Sequence, residues 1–286
     1  VDVEPGTLNL NAELIEQSIT PRTKGIIPVH LAGHPCDMDS VTALAQKYHL
    51  TVIEDAAHAL EAAYREKKIG TISPFTAFSF YATKNITTGE GGMVTVADDE
   101  VADKVRILSL HGISRDAWKR YSDEGYRHWD ILCAGYKYNM FDLQAAVGLH
   151  QMDRIEHFWE SRKRLVHHYN AAFYELPEIE PLAVKPDVKH AYHIYPILLN
   201  VAMLTANRDQ IMTAIQAENI GIGIHFRAVH LHPFYRETFG FAPGRLPVAE
   251  DASERILSLP LFPSMSDEDL HDVVAVVKKV IHYYRK

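Results

Sequence analysis

Only two of the 286 residues are cysteine, Cys36 and Cys133, which excludes a disulfide framework holding together a small loop-rich fold. No apolar run approaches the roughly 20 residues that a membrane-crossing helix needs, and no internal repeat or low-complexity tract is present. Positive charge is in deficit as well. With 29 Lys and Arg against 37 Asp and Glu, the net charge is −8. Nucleic acid and anionic membrane surfaces are therefore poor partners, and an anionic ligand has to be captured by a local set of donors. In the absence of a signal-peptide pattern the expected location is cytoplasmic. The first residue is Val1, not methionine, and VDVEPGTLNL reads as a strand and turn, so further residues are expected before it.

What remains is ordinary globular composition, 47% hydrophobic and 23% charged, in a chain long enough to bury about 75% of its unfolded surface. Helical and strand patterns alternate through the first half. Asn11 is placed to cap a helix over AELIEQSI, and GIIPVHL (25–31), TVIED (51–55), FTAFSF (75–80) and GMVTVA (92–97) read as strands. Residues 40–49 and 98–112 read as helices, the second ending at Gly112. This order predicts an α/β layer with a mainly parallel sheet over residues 1–150. Residues 114–139 have no clear period and predict a long loop. Beyond a helical stretch from 142 to about 176, YHIYPILLN, RDQIMTAIQAEN, GIGIHF and a terminal helix predict a smaller α+β domain over 151–286.

Ligands of open α/β sheets sit beyond the carboxyl ends of the strands. Asp55, Ser79 and Lys84 fall there, the last in FSFYATKNITTGEGG. A lysine behind a buried strand can be desolvated, which lowers its pKa and frees a neutral amine for attack on a carbonyl. A carboxylate at a neighbouring strand end can hold a pyridinium proton, and hydroxyls with glycine amides can bind phosphate. On pattern alone, Lys84 reads more readily as a solvated turn lysine, Asp55 equally as a helix cap for AAHALEAAY, and Gly89, Gly91 and Gly92 as any tight turn. His30, His34 and Cys36 carry metal-like chemistry, but Gly33 and Pro35 interrupt any helical face, so no metal is expected. His225, His230 and His232 read as polar groups on a strand end and loop. No GxSxG turn marks a hydrolase.

The motifs TPRTKGIIPVHLAG, IEDAAHA, FSFYATKNITTGEGGM, GYKYNMFDLQAAVGLHQM, GIHFRAVH and ERILSLPLFP, in that order, resemble the DegT/DnrJ/EryC1/StrS nucleotide-sugar aminotransferases. The wording of GYKYN, HGISRDAW, HFRA and YRETF is most similar to the branch acting on UDP-linked 4-keto-pentoses. The resemblance implies the three-layer fold of type I (aspartate aminotransferase-like) enzymes that depend on pyridoxal 5′-phosphate (PLP), and a homodimer with shared active sites. It implies that Lys84 binds PLP covalently, that Asp55 pairs with the pyridine nitrogen, and that His58 contacts the ring. It also implies that Ser79 binds the phosphate, and that Asn139 reaches the phosphate in the neighbouring subunit. His225 and Arg227 are implied contacts to the sugar nucleotide.

The implied reaction moves an amino group from glutamate to a nucleotide-linked 4-keto sugar. The family pattern places roughly a hundred residues, with an aromatic residue over the ring and a phosphate turn, before the region matching Val1. Tyr81 and LHPFY depart from the arabinose-type wording. Two alternatives stand beside this reading. One is a PLP-dependent sugar dehydratase, although such relatives replace the cofactor lysine by histidine and Lys84 is present; the other is a PLP-free sensor or scaffold of the same fold.

Overall fold

The computed structural model describes residues 1–114 and 129–286. The first half is built on six strands and two α-helices: β1 (Gly25–Ile26), α1 (Met38–Lys47), β2 (Thr51–Asp55), the short pair β3 (Ala63–Tyr64) and β4 (Lys67–Lys68), then β5 (Phe75–Ser79), β6 (Gly92–Val96) and α2 (Asp99–Ser109). Strands β1, β2, β5 and β6 form one sheet in that order. The first three run parallel, whereas β6 returns antiparallel to β5. Because β6 follows β5 through one compact loop with no crossover helix, the antiparallel pairing is the one available to it.

Two predicted elements are shorter than expected. GIIPVHL pairs as a strand only at Gly25–Ile26, because Pro28 brings no N–H to the ladder. Its carbonyl still accepts from Asp55 N at 2.9 Å, and Val29 makes an isolated bridge to Asp55. AELIEQSI forms two 3₁₀ turns, not an α-helix. Asn11 caps the first as predicted, accepting from Glu13 N at 3.0 Å, but Ile19, Thr20 and Pro21 stop propagation. Helix α1 is regular: the Asp37 side chain accepts from Ser40 N, and Met38, Val41 and Ala45 turn inward at helical spacing.

In the second half, the helical stretch expected from 142 to about 176, with room for breaks, divides into helices α3 (Asp142–Met152) and α4 (Ile155–Phe173). They are followed by β7 (Ile179–Pro181), β8 (Val188–Lys189), β9 (Tyr195–Leu199), α5 (Arg208–Ala217), α6 (Pro233–Phe239), α7 (Pro247–Arg255), β10 (Ile256–Leu259) and α8 (Asp267–Tyr284). Strands β10, β9 and β7 form an antiparallel sheet covered by α4, α5 and α8. GIGIHF, read as a strand, makes only an isolated bridge from Gly223 to Ser258; β10 takes the sheet position beside β9 instead. Part of the predicted loop 114–139 lies outside the described residues. Within the rest, Ile113 bridges Ile131 and Leu110 bridges Lys137.

Among the described residues, a small apolar cluster of Leu8, Leu198, Ala252 and Ile256 lies beside two larger cores. One gathers Ile26, Met38, Val41, Val52 and Ile69 with α1 and the parallel sheet; the other gathers Leu165, Tyr169, Phe173, Ile197, Leu257 and Ile281. Burying each such side chain contributes about 1.5–3 kcal/mol. Strand β8 crosses between them, pairing with β3. Among the described residues, no helix is long and apolar enough to cross a membrane.

Candidate active site

Strand β2 alternates its side chains, and Glu54 is wholly buried while Asp55, the last residue, sits at the carboxyl edge of the sheet. Glu54 is satisfied at every turn. Its Oε1 accepts from Ser73 N at 3.1 Å and Thr76 Oγ1 at 3.0 Å, and its Oε2 from His30 Nε2 at 2.9 Å. His30 Nδ1 accepts from Cys36 N at 3.0 Å, which leaves the ring proton on Nε2 and fixes it as the donor to Glu54. The end of β2 is thereby anchored from below.

Asp55 Oδ1 accepts from Ala57 N at 3.0 Å. This is the capping role foreseen as an alternative, but the segment it caps is a series of turns with no helix, and among the described residues only Oδ1 is engaged. The other remains for a ligand. Those turns bring His58 to the same edge. Ser79, at the end of neighbouring β5, accepts from Tyr81 N at 3.3 Å, leaving its hydroxyl proton to donate elsewhere. Gly92, opposite Ser79, has no room for a side chain: a Cβ there would lie 2.8 Å from Phe78 O.

Lys84 follows in a closed loop. Its N–H donates to Tyr81 O at 3.0 Å, Thr88 N donates to Phe80 O at 3.0 Å, and Phe80 N donates to Gly91 O at 2.9 Å, with Asn85 and Ile86 buried beneath. The lysine is half-buried, not a fully solvated turn residue. Burial lowers its amine pKa, and the nearby Asp55 charge opposes that fall. His58 is pushed down to about 3, chiefly by burial and then by the positive charges of Lys84 and His225; His225 is lowered by burial and by Lys84. Lys84, Asp55, His58 and His225 thus share one electrostatic neighbourhood. The His58 ring lies 4.3 Å from the ring of His193 and stacks on Phe226 at 6.1 Å.

Two of the predicted site residues stand outside this cluster. Asn139, ahead of α3, is engaged by Lys137 Nζ and donates to Met140 O at 3.4 Å. Arg227 is exposed beside Phe226. His230 turns instead to Glu250, at 2.8 Å. The metal-like trio is spent on structure: His30 on Glu54, His34 on the backbone N–H of Lys185, and Cys36 Sγ on Val29 O. Sequence reading missed Glu61, Asn85, Arg162 and His193, all polar and buried. Their sequence surroundings carry no common signal: Arg162 lies in ESRKR and Asn85 in ATKNITT, both polar stretches.

The donor set fits PLP. It offers a half-buried amine, a strand-end carboxylate with an unused oxygen, a serine hydroxyl at the adjacent strand end, and buried ring nitrogens, His58 Nδ1 and His225 Nδ1, without partners among the described residues.

The chain is similar to known proteins over almost its whole length. The family model of the DegT/DnrJ/EryC1/StrS aminotransferases matches residues 1–278. The spore coat polysaccharide biosynthesis protein SpsC of Bacillus subtilis is 46% identical over 98% of this chain and 72% of its own. Among solved structures, Spr1654 of Streptococcus pneumoniae in its PMP form superposes with a TM-score of 0.91 at 32% identity, covering 99% of this chain and 75% of its own. Helicobacter pylori PseC, an aminotransferase involved in the biosynthesis of pseudoaminic acid, gives 0.92 at 27% identity, covering 99% and 73%. The chain belongs to the DegT/DnrJ/EryC1/StrS aminotransferase family and is a PLP-dependent sugar aminotransferase.

Proposed function

We propose that the protein transfers the amino group of glutamate to the keto carbon of a nucleotide-linked 4-keto sugar, a UDP-linked pentose or hexose, in two half-reactions that yield 2-oxoglutarate and the 4-amino sugar. The observation that carries this reading is the half-buried Lys84 amine in the field of Asp55 at the carboxyl edge of the sheet. When bound, PLP supplies the electron sink that makes loss of an α-proton feasible.

The protein's own residues do the rest. Lys84 would hold the cofactor covalently and, once displaced by the incoming amine, its Nζ would take the donor's α-proton and return it to the cofactor carbon on the far side of the transferred nitrogen. Asp55, through the oxygen that Ala57 leaves unused, keeps a proton on the ring nitrogen. Ser79 donates to the phosphate, and His58 packs against the ring. His225 and Arg227 contact the sugar nucleotide.

Asn139 completes the phosphate site of a second copy, so the working unit is a homodimer in the cytoplasm. Support for that arrangement comes from the surface around Asn139. Tyr136 and Tyr138 stack at 5.0 Å with Tyr138 75% exposed, and Leu143 and Leu149 of α3 are 74% and 71% exposed. Residues 1–150 form the cofactor domain and 151–286 the smaller one; the larger apolar core, all of it within 151–286, supports this division, while a small cluster of Leu8 with Leu198, Ala252 and Ile256 joins the two parts.

The substrate is tested by turnover of glutamate with a panel of UDP-, dTDP- and GDP-linked 4-keto sugars. Amination of a UDP-linked member supports the assignment, and failure on the whole panel overturns the substrate class.

A further inference from the structure

Immediately after Lys84, the side chain of Asn85 is buried and held at three points. Its Nδ2 donates to Glu61 Oε2 at 2.7 Å and to Ala191 O at 3.2 Å, and its Oδ1 lies 2.8 Å from His193 Nδ1. Both partners of the amide nitrogen are pure acceptors, so the amide has one orientation and Oδ1 must accept. His193 therefore carries its proton on Nδ1, and its Nε2 is unprotonated. The ring that Asn85 fixes in this way lies 4.3 Å from His58, whose own Nδ1 is buried without a partner among the described residues.

The platform under this chain is rigid. Ala191 N donates to Gly33 O and His193 N to Ala32 O, each at 2.9 Å. Glu61 is almost fully buried, and the other charge acting on its carboxylate from α4 is that of Arg162, which is equally buried. Asn85 thus joins three parts of the chain: the turns after β2, the loop bearing Lys84, and the segment leading into β9.

We propose that Asn85 is a positioning residue for the amino-transfer site: it fixes the backbone from which Lys84 projects and, by accepting from His193 Nδ1, sets the tautomer and orientation of the ring that supports His58. This rests on the reading of Lys84 as the cofactor lysine. A merely structural asparagine would affect stability alone. A positioning one also affects the His193 tautomer and the turnover number, while the KM for glutamate changes little.

The test uses the full-length protein with Asn85→Asp, alone and combined with Glu61→Gln. The single variant sets a carboxylate against the Glu61 carboxylate; the double variant restores a donor–acceptor pair with the roles exchanged. Two readouts are taken: the His193 tautomer from ¹⁵N NMR without added PLP, and kcat, KM and PLP retention with it. The single variant keeps an oxygen that accepts from His193 Nδ1 and so keeps the Nδ1–H form, but its carboxylate set against Glu61 is expected to lower kcat roughly 10- to 100-fold, and the double variant to recover most of that loss. Asn85→Ala, measured the same way, removes the acceptor and is expected to lose the unique Nδ1–H form of His193 along with kcat. Wild-type kcat in either Asn85 variant, a single Nδ1–H tautomer in Asn85→Ala, or no recovery of kcat in the double variant overturns the proposal. The tautomer readout is independent of PLP, so failure of the Lys84 reading, visible as an unaltered cofactor spectrum in Lys84→Ala, is distinguished from failure of this one.

Discussion

His30 donates to Glu54 across 2.9 Å with neither side chain reaching solvent, one residue before the carboxylate that faces the cofactor site. Burial alone would raise the Glu54 carboxyl, but hydrogen bonds from His30, Ser73 and Thr76 outweigh it and hold the group below its ordinary 4.5. A carboxyl depressed in the folded state contributes stability that is fully present above its unfolded value and lost as pH falls through the folded one. Glu54→Ala is therefore expected to destabilise by about 3–5 kcal/mol at neutral pH, because it orphans three buried donors. The wild-type advantage over the variant should shrink below about pH 4.5. Urea unfolding of both proteins at pH 7 and pH 4 checks it; an equal gap at both values contradicts it.

The balance at Lys84 gives a signed prediction. Burial lowers its amine and Asp55 pulls it back up, so Asp55→Asn should lower the Lys84 pKa further. Conversely, Lys84→Met removes a positive charge from His225 and should raise the pKa of that imidazole. NMR titration of the two groups without added PLP reads both shifts, and movement in the opposite direction refutes the electrostatic grouping of the site.

Gly33 is held at φ +96°, and a Cβ there would lie 2.7 Å from His58 O and 2.8 Å from the Ala191 side chain. Gly33→Ala should cost about 1–3 kcal/mol through backbone strain and crowding. Because the displaced neighbours are His58 and Ala191, it should also weaken PLP retention. Thermal unfolding with and without PLP reads the two effects; a variant as stable as wild type that retains PLP equally well contradicts them.

For the shared site, Asn139→Ala is expected to leave the subunit folded and the dimer intact while PLP dissociates faster. Sedimentation velocity alongside retention of the cofactor on desalting checks this. A monomer that holds PLP as tightly as the wild type contradicts a site completed by a second copy.

Much of this site was legible along the chain because strand ends are local features: TVIED ends at Asp55 as predicted, FTAFSF ends at Ser79, one residue before the predicted Phe80, and Lys84 and the glycines follow in order. Elements whose pairing is set at a distance were not. ILSL, inside the motif ERILSLPLFP, is not read as a strand until β9 becomes its partner, and GIGIHF carries strand-like residues whose place in the sheet β10 takes. Pro28 shortened β1 for a reason visible in the sequence but outweighed there by the apolar run around it. The polar residues that tie the site together, Glu61, Asn85 and His193, are separated by up to 132 positions, and each reads locally as an ordinary polar residue. Only the fold makes them neighbours.

The central claim is that Lys84 carries the cofactor and that glutamate displaces it. Its most direct test is the visible absorption spectrum of the PLP-loaded protein before and after glutamate, in the wild type and in Lys84→Ala. The account predicts a visible band in the wild type that disappears when glutamate is added, and no such band in the variant. A band that glutamate leaves untouched, or one that survives in Lys84→Ala, contradicts it.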